Sequence, residues 1–577
     1  MRPLTILLAL SLLAHGVSAG PLELVKDGKT PFHLVLPKDA SDSQKYGADE
    51  LKKHIKEMTG AELKIVTDDQ PAQPHEIVIG SNRRSNELGL KPDLKSLGTD
   101  GFTLKTTGNK IFIVGSPVRG SMYGCFELLE RLGVRWYTSE VTVAPKRADI
   151  TVEEIDITQT PAFEYREPYM TEAWDSAWAT HNRVVGHTPV TVGGQFRYAD
   201  FVHSFDRLVP PALYDKHPEY FPMIEGKRIN GYVQRCLSNP DVLKLVVDGV
   251  KAAFKANSNA VITTVSQNDV EKYCKCPDCS RLEAQYGTQS GVYLSFVNKV
   301  AQAIEKDYPD KLIDTLAYQF TEEPPRNIKP RHNVRIRLCP IYCCEAHDYE
   351  KCTYEANPKF VKRLAAWNDV AQTLYIWHYS TNFNHYMMPF PDFKQFPTSA
   401  RLYKRSGVVG VFFQGSYCGP GGSDAQLRAY VMSKLLWNVN VDTDALVTDW
   451  MKGVYGPAWQ PMRAWFDHVH ETLSPADAEL HCYDTDAINR LSTPAVLAKG
   501  DELFAQAQKL AQTELQKQYV KKASLQIQYL HLYHKHDPGD RLKKFVADAK
   551  SLGVTNTSES KSIDQWEKEY RAQPATK

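Results

Sequence analysis

An amide sits directly before a carboxylate in Ser266-Gln267-Asn268-Asp269, just after the apolar run at 261–265. Such a pair can break a glycosidic bond at an N-acetylated sugar. The amide orients the substrate's own acetamide, whose oxygen attacks the anomeric carbon, and the carboxyl group protonates the leaving oxygen. Asn268 suits the first role, and Asp269 suits the second if burial raises its pKa. Asn and Asp are also favoured helix N-caps, so the dipeptide reads equally well as the start of a helix.

Polar and aromatic groups come after other short apolar runs in the same way. Tyr318 follows the run at 313–316, with Glu322 and Glu323 beyond it as alternative acids that read more simply as solvated loop residues. Tyr342, Glu345 and His347 follow 334–338; Tyr379 and Asn382 follow a run ending at Trp377; Gln414 follows 408–412. Arg166 follows a segment ending at Tyr165, and His203 ends another. Flat rings stack on apolar sugar faces and amides bond hydroxyls, so Trp377, Tyr379 and Asn382 suit a sugar subsite. Trp377 suits an aromatic core as well.

Of 11 cysteines, three form Cys274-x-Cys276-x-x-Cys279 close behind Asp269. Sulfurs so closely spaced clamp a loop through a structural zinc or a disulfide. Cys236 can supply a fourth metal ligand, and the spacing leaves zinc and disulfide both open. Cys339, Cys343, Cys344 and Cys352 form a second group. No Gly-rich phosphate loop is present. Catalysis by the residues above needs no cofactor.

The elements that must hold these groups can be read from the pattern. Residues 1–19 read as a signal peptide: Arg2, an apolar stretch at 4–14 too short to span a bilayer, and the small residues Val17-Ser18-Ala19. An exported protein, periplasmic or extracellular and without membrane insertion, is expected. Residues 20–160 read as a small α/β domain, with a helix through Ala48, Leu51, Ile55 and Met58 ended by Gly60, and a hairpin at Gly108-Asn109. Residues 161–460 alternate short apolar runs with helical stretches, the pattern of a (β/α)8 barrel of the TIM type, whose working residues lie just past the C-terminal strand ends. Residues 461–577 read as an all-helical domain with one stripe through Leu503, Ala507, Leu510 and Leu515 and another through Val520, Leu525, Ile527, Leu530 and Leu532. Across 577 residues Lys+Arg 69 balances Asp+Glu 68, a net charge of +1, which excludes an electrostatic nucleic-acid binder. With 42% apolar and 24% charged residues the chain is globular, and its 11% aromatic content fits sugar sites or large cores equally.

Several stretches together resemble known families. Tyr46-Gly-Ala-Asp-Glu-Leu51, Ile77-Val-Ile-Gly80 and the segment from Gly120 to Tyr137 are similar to the α/β domain that precedes the barrel in β-hexosaminidases and α-glucuronidases. Ser266-Gln-Asn-Asp269 with the adjacent cysteines, Trp377-His-Tyr379 through Pro391, and Leu427-Arg-Ala-Tyr430 through Trp437 resemble the barrel known as domain of unknown function 4838, the domain of glycoside hydrolase family 163. That resemblance implies a secreted endo-β-N-acetylglucosaminidase acting on oligosaccharides or glycoprotein N-glycans. An exo-acting glycosidase such as an α-glucuronidase, or a glycan-binding protein without hydrolysis, are the alternatives. The family pattern has an acid where this chain has Tyr342, so the resemblance carries the fold further than the chemistry.

Overall fold

The structure is a computed structural model that describes residues 20–573 apart from 188, 372 and 484. The expected leader at 1–19 lies outside the described residues. Two compact units are present: one ends at Arg135 and takes in Val143–Thr160, and the other comprises Trp136–Thr142 and Pro161–Lys577.

The first unit is a six-stranded mixed sheet with helices. Its strands are β1 (His33–Leu36), β2 (Lys64–Thr67), β3 (Glu76–Ile79), β4 (Phe102–Thr107), β5 (Lys110–Gly115) and β6 (Asp156–Gln159), in the order β6-β4-β5-β3-β1-β2. Helix α1 (Asp42–Thr59) starts at a capping box, where Ser41 accepts from the Gln44 amide and the Gln44 side chain accepts from the Ser41 amide. It ends at Gly60, whose φ of 81° closes the helix in the left-handed region. Ala48, Leu51, Ile55 and Met58 are its buried stripe. Helix α2 (Gly120–Arg131) comes so close to it that a Cβ on Gly47 would lie 3.1 Å from Met122 Cα. β4 and β5 pair antiparallel around Gly108-Asn109, with Gly108 at φ 56°.

The second unit holds six parallel strands: β7 (Tyr165–Tyr169), β8 (Ile262–Thr264), β9 (Leu312–Ala317), β10 (Val334–Leu338), β11 (Leu374–Tyr379) and β12 (Val408–Gln414). Their spatial order is β7-β12-β11-β10-β9-β8, so the first strand in sequence pairs with the last and the sheet curls as a barrel does. Tyr198 extends the β8 edge by a one-residue parallel bridge to Ile262. The strand–helix alternation is therefore that of an α/β barrel, with six strands among the described residues where the sequence suggested eight. Helices α3 (Pro240–Ala256), α4 (Pro277–Tyr286), α5 (Gln289–Glu305), α6 (Ala356–Val370), α7 (Phe396–Arg405) and α8 (Ala425–Trp437) fall between or after the strands.

The barrel interior carries rings rather than aliphatic layers. Tyr165, Tyr198, Ile262, Tyr375 and Phe412 form one buried cluster, with Phe201 and Trp377 packed on it. Inside it lies Arg337, its Nε 2.9 Å from Asp314 Oδ2, and Tyr198 Oη donates to the same oxygen at 2.9 Å. The guanidinium sits 5.3 Å from the Tyr165 ring centroid and 5.4 Å from those of Phe201 and Tyr375. A counter-ion and several ring faces together offset the cost of burying the charge.

Helices α9 (Thr443–Tyr455), α10 (Trp459–Thr472), α11 (Pro494–Leu510), α12 (Glu514–Ala523), α13 (Leu525–His534), α14 (Asp540–Ser551) and α15 (Ile563–Ala572) complete the same compact unit. Val520, Leu525, Ile527, Leu530 and Leu532 are buried. The other expected stripe stops at Ala507: α11 ends at Leu510, which is 44% exposed, and Leu515 belongs to the next helix. Among the described residues no helix is long and apolar enough to cross a membrane.

Candidate active site

A cavity of about 230 Å³ opens where the barrel strands end. Each strand delivers its lining residue through the two-residue pleat. On β11, Tyr375 faces the interior cluster, so Trp377 and Tyr379 point the same way, upward to the mouth. On β12, Phe412 faces inward and Gln414 comes after it into the cavity. Asp314 on β9 and Arg337 on β10 set the same parity for Leu316, Tyr318 and Cys339. His203 and Val202 arrive beyond the Tyr198 bridge and Asp269 beyond β8, while Tyr417, Tyr483 and Glu559 close the rim.

Glu559 was not found from the sequence. It stands on the loop at 555–562, between α14 and α15, and half-buried at the cavity wall. The loop is tied to the segment after β11: the Tyr386 amide donates to Thr557 O at 2.9 Å, and the Glu559 amide donates to Phe383 O at 2.9 Å. Tyr417 Oη donates to Glu559 Oε1 at 2.8 Å. Gln414 Nε2 is 3.5 Å from that oxygen, and Gln414 Oε1 accepts from Trp377 Nε1 at 2.7 Å. Burial raises the Glu559 pKa above the usual carboxyl value, the Tyr417 hydrogen bond opposes this, and the negative charge of Asp269 adds to the rise. The cavity thus brings together two carboxyl groups, the half-buried Glu559 with its raised pKa and the exposed Asp269. The only sequence trace of Glu559 is a polar Thr-Ser-Glu-Ser stretch between helical runs, which reads as an ordinary solvated turn.

Asp269 is held from two sides. Its amide donates to Tyr232 Oη at 3.0 Å, and Gln319 Nε2 donates to its Oδ1 at 3.3 Å. Gln319 has φ 53°, Val202 φ 37° and His203 φ 47°. A β-branched residue in the left-handed region is a genuine strain, and strain of about 1–3 kcal/mol per residue persists only where surrounding contacts impose it. His203 Nδ1 lies 2.7 Å from Gln267 O. Burial, and then the charge of Asp269, push the Tyr318 phenol well up.

The expected residues therefore divide. His203, Asp269, Tyr318, Trp377, Tyr379 and Gln414 meet at one mouth. Asn268 does not line it: its Nδ2 donates to Asp206 Oδ1 at 2.6 Å and to Val233 O at 2.8 Å, and its Oδ1 accepts from the Asp206 amide at 3.3 Å. With both amide hydrogens spent inside the fold, Asn268 has no donor for a substrate acetamide. Arg166 lies on the opposite pleat from Tyr165. Its Nη1 donates to Phe163 O at 2.7 Å, and its guanidinium covers Trp437. Asn382 donates to His481 O at 3.0 Å, away from the cavity. Tyr342, 53% exposed, lines an adjoining cavity of about 260 Å³ with Glu322 and Arg363, and the two cavities share Cys339 and Ile341. Glu322 and Glu323 both pair with Arg363, at 2.9 and 2.6 Å. Glu345 is buried away from solvent against Tyr349 and His378. His347 Nδ1 lies 3.6 Å from Cys344 Sγ and 3.9 Å from Cys352 Sγ, outside the mouth.

The model described as Glycosyl hydrolase family 67 N-terminus matches residues 24–128. No curated protein matches the chain. Among solved structures, a glycoside hydrolase family 115 4-O-methyl-α-glucuronidase with specificity for decorated arabinogalactans overlaps 95% of this chain and 78% of its own at 13% identity, with a TM-score of 0.55, a likeness of fold alone. The Flavobacterium johnsoniae chitobiase overlaps 96% of this chain and 97% of its own at 11% identity, with a looser TM-score of 0.42. The model described as Domain of unknown function (DUF4838) matches residues 136–467, the stretch that folds into the barrel and its first trailing helices, and this chain belongs to that family.

Proposed function

We propose that the protein is an exported glycoside hydrolase that cleaves next to an N-acetylglucosamine unit in an N-glycan-type oligosaccharide. The observation that carries the reading is the pair of carboxyl groups, Glu559 and Asp269, in one ring-lined cavity at the strand ends. Glu559 gives its proton to the leaving glycosidic oxygen. The substrate's acetamide oxygen attacks the anomeric carbon, and Asp269 accepts the acetamide N–H, the role first read for Asn268. Water then opens the oxazolinium intermediate at the same carbon and returns a proton to Glu559. Trp377 and Tyr379 offer ring faces for the sugar. The adjoining cavity with Tyr342 gives room for further units, which suits cleavage within a chain. The resemblance to family 163 supports the same substrate class, and the apolar segment at 4–14 supports export.

A glucuronide-specific site needs a cation for the uronate. Among its described lining residues the cavity has no lysine or arginine, and His203 is its one basic group. Incubation with a glycoprotein bearing complex N-glycans, read by mass spectrometry of released sugars, tests the proposal. Release of an oligosaccharide ending in N-acetylglucosamine supports it. Binding of the glycan without release would instead make the chain a lectin-like barrel.

A further inference from the structure

We propose that Cys236, Cys274, Cys276 and Cys279 hold one Zn²⁺ ion in a closed, four-thiolate structural site. All four side chains are buried, none more than 4% exposed, and their sulfurs all lie within 4.8 Å of one another. Cys236 Sγ is 3.7 Å from Cys276 Sγ and 4.0 Å from Cys279 Sγ. A tetrahedron with Zn–S bonds of about 2.3 Å has edges of about 3.8 Å, which is the spacing found. A disulfide needs about 2.0 Å and an exclusive partner. Cys236 is nearly equidistant from two sulfurs, and only one residue separates Cys274 from Cys276.

The surroundings suit a site of net charge −2. Cys274 Sγ accepts from the Met223 amide at 3.3 Å, and Arg228 Nη1 lies 3.6 Å from it. Ser238 Oγ lies 3.5 Å from Cys276 Sγ and 3.3 Å from Cys279 Sγ. The Met223 amide and Arg228 donate toward the Cys274 sulfur, the one Ser238 hydroxyl hydrogen serves one of its neighbouring thiolates, and the guanidinium supplies positive charge where the metal leaves an excess of negative charge. The fourth ligand comes from far along the chain. The residues just before Cys236 include Tyr232 and Gln234, whose side chains bond the amides of Asp269 and Asn268. The other three ligands continue the loop that carries Asp269 into the start of α4. The metal would therefore rivet together the two strips of chain that set the position of Asp269.

The test is elemental analysis of the full-length chain purified without chelator, which is expected to give one zinc per chain. Cys236→Ser and Cys276→Ser should each lose that equivalent and melt at lower temperature, while Cys125→Ser, a buried cysteine in the other unit, should keep it. Should the serine variants not fold, Co²⁺ exchanged into the wild type gives a second reading. Tetrahedral d–d absorption with strong thiolate charge transfer is expected, and Cys279→His should fold and weaken the charge-transfer band. The proposal is overturned if the wild type lacks metal and peptide mapping finds these four cysteines in disulfides or freely alkylated. A stoichiometric zinc that survives Cys236→Ser overturns it as well.

Discussion

At the scale of single residues, the proposed division of labour between Glu559 and Asp269 makes two predictions. Glu559→Gln keeps the shape and loses the proton donor, so turnover should fall by about 10²–10⁴-fold while glycan binding persists. Parallel measurement of kcat and of binding by the inactive variant checks this. In the wild type the acid must be protonated, so kcat/KM should fall as pH rises through the raised Glu559 pKa. Asp269→Asn removes the negative charge that helps to hold that pKa up, and the alkaline limb of its residual activity should move to lower pH. An unmoved limb would place the acid elsewhere. Five of the six mouth residues, all but His203, were legible because a barrel strand shows as a short apolar run and its working residues lie at or within a few positions of the run's end. Arg166 failed on parity: it sits one residue from inward-facing Tyr165, and a one-residue step carries a side chain to the other face. Asn268, Tyr342 and Asn382 lie on loops past the strand ends, where no pleat sets which way a side chain points. Glu559 stands behind no strand, so no such rule reaches it.

At the scale of elements, the buried charges decide what each strand and loop can tolerate. Val334-Arg-Ile-Arg-Leu338 reads as a broadly apolar run, yet its second arginine fills the barrel centre with Asp314 as its partner. Asp314→Asn strands that arginine, and urea unfolding should show a loss of about 3–5 kcal/mol, with less lost when Arg337→Met is added. The sequence could not show this, because an alternating Arg on a strand reads as solvent-facing until its partner on the neighbouring strand is known. Glu345 gives a contrasting case. It is 1% exposed, its Oε1 accepts from Tyr349 Oη at 2.6 Å, and burial raises its pKa well above 4.5. Its neighbour His378 is pushed down to about 3 and stays neutral. With the folded value above the unfolded one, stability is full below about pH 4.5 and is lost as pH rises through the folded value. Glu345→Gln should flatten that decline in thermal melts taken across the pH range. An equal slope in both proteins would mean that Glu345 is ionised in the fold.

At the scale of the molecule, the alternation of runs and helices gave the barrel class, but not the strand count. The stretch between Val185 and Phe205 passes the β8 edge with a single bridge at Tyr198, and its Gly- and polar-rich sequence hides even that. The C-terminal helices were legible as helices from their stripes. That the loop between the last two crosses to the barrel mouth was not, since Glu559 lies 290 residues beyond Asp269 and only tertiary contacts bring them together. The loop is held to the barrel by hydrogen bonds to Phe383, Tyr386, Tyr417 and Cys418. A loop held by isolated bonds opens at a lower free-energy cost than a sheet held by continuous ladders. Under the proposed function the protein should then have a window of mild denaturant in which it is folded yet inert: hydrolysis should fade at lower urea than circular dichroism does, and return at once on dilution. Bound glycan, by contacting both sides of the mouth, should narrow that window. Coincident midpoints would mean that the loop lets go only when the barrel does.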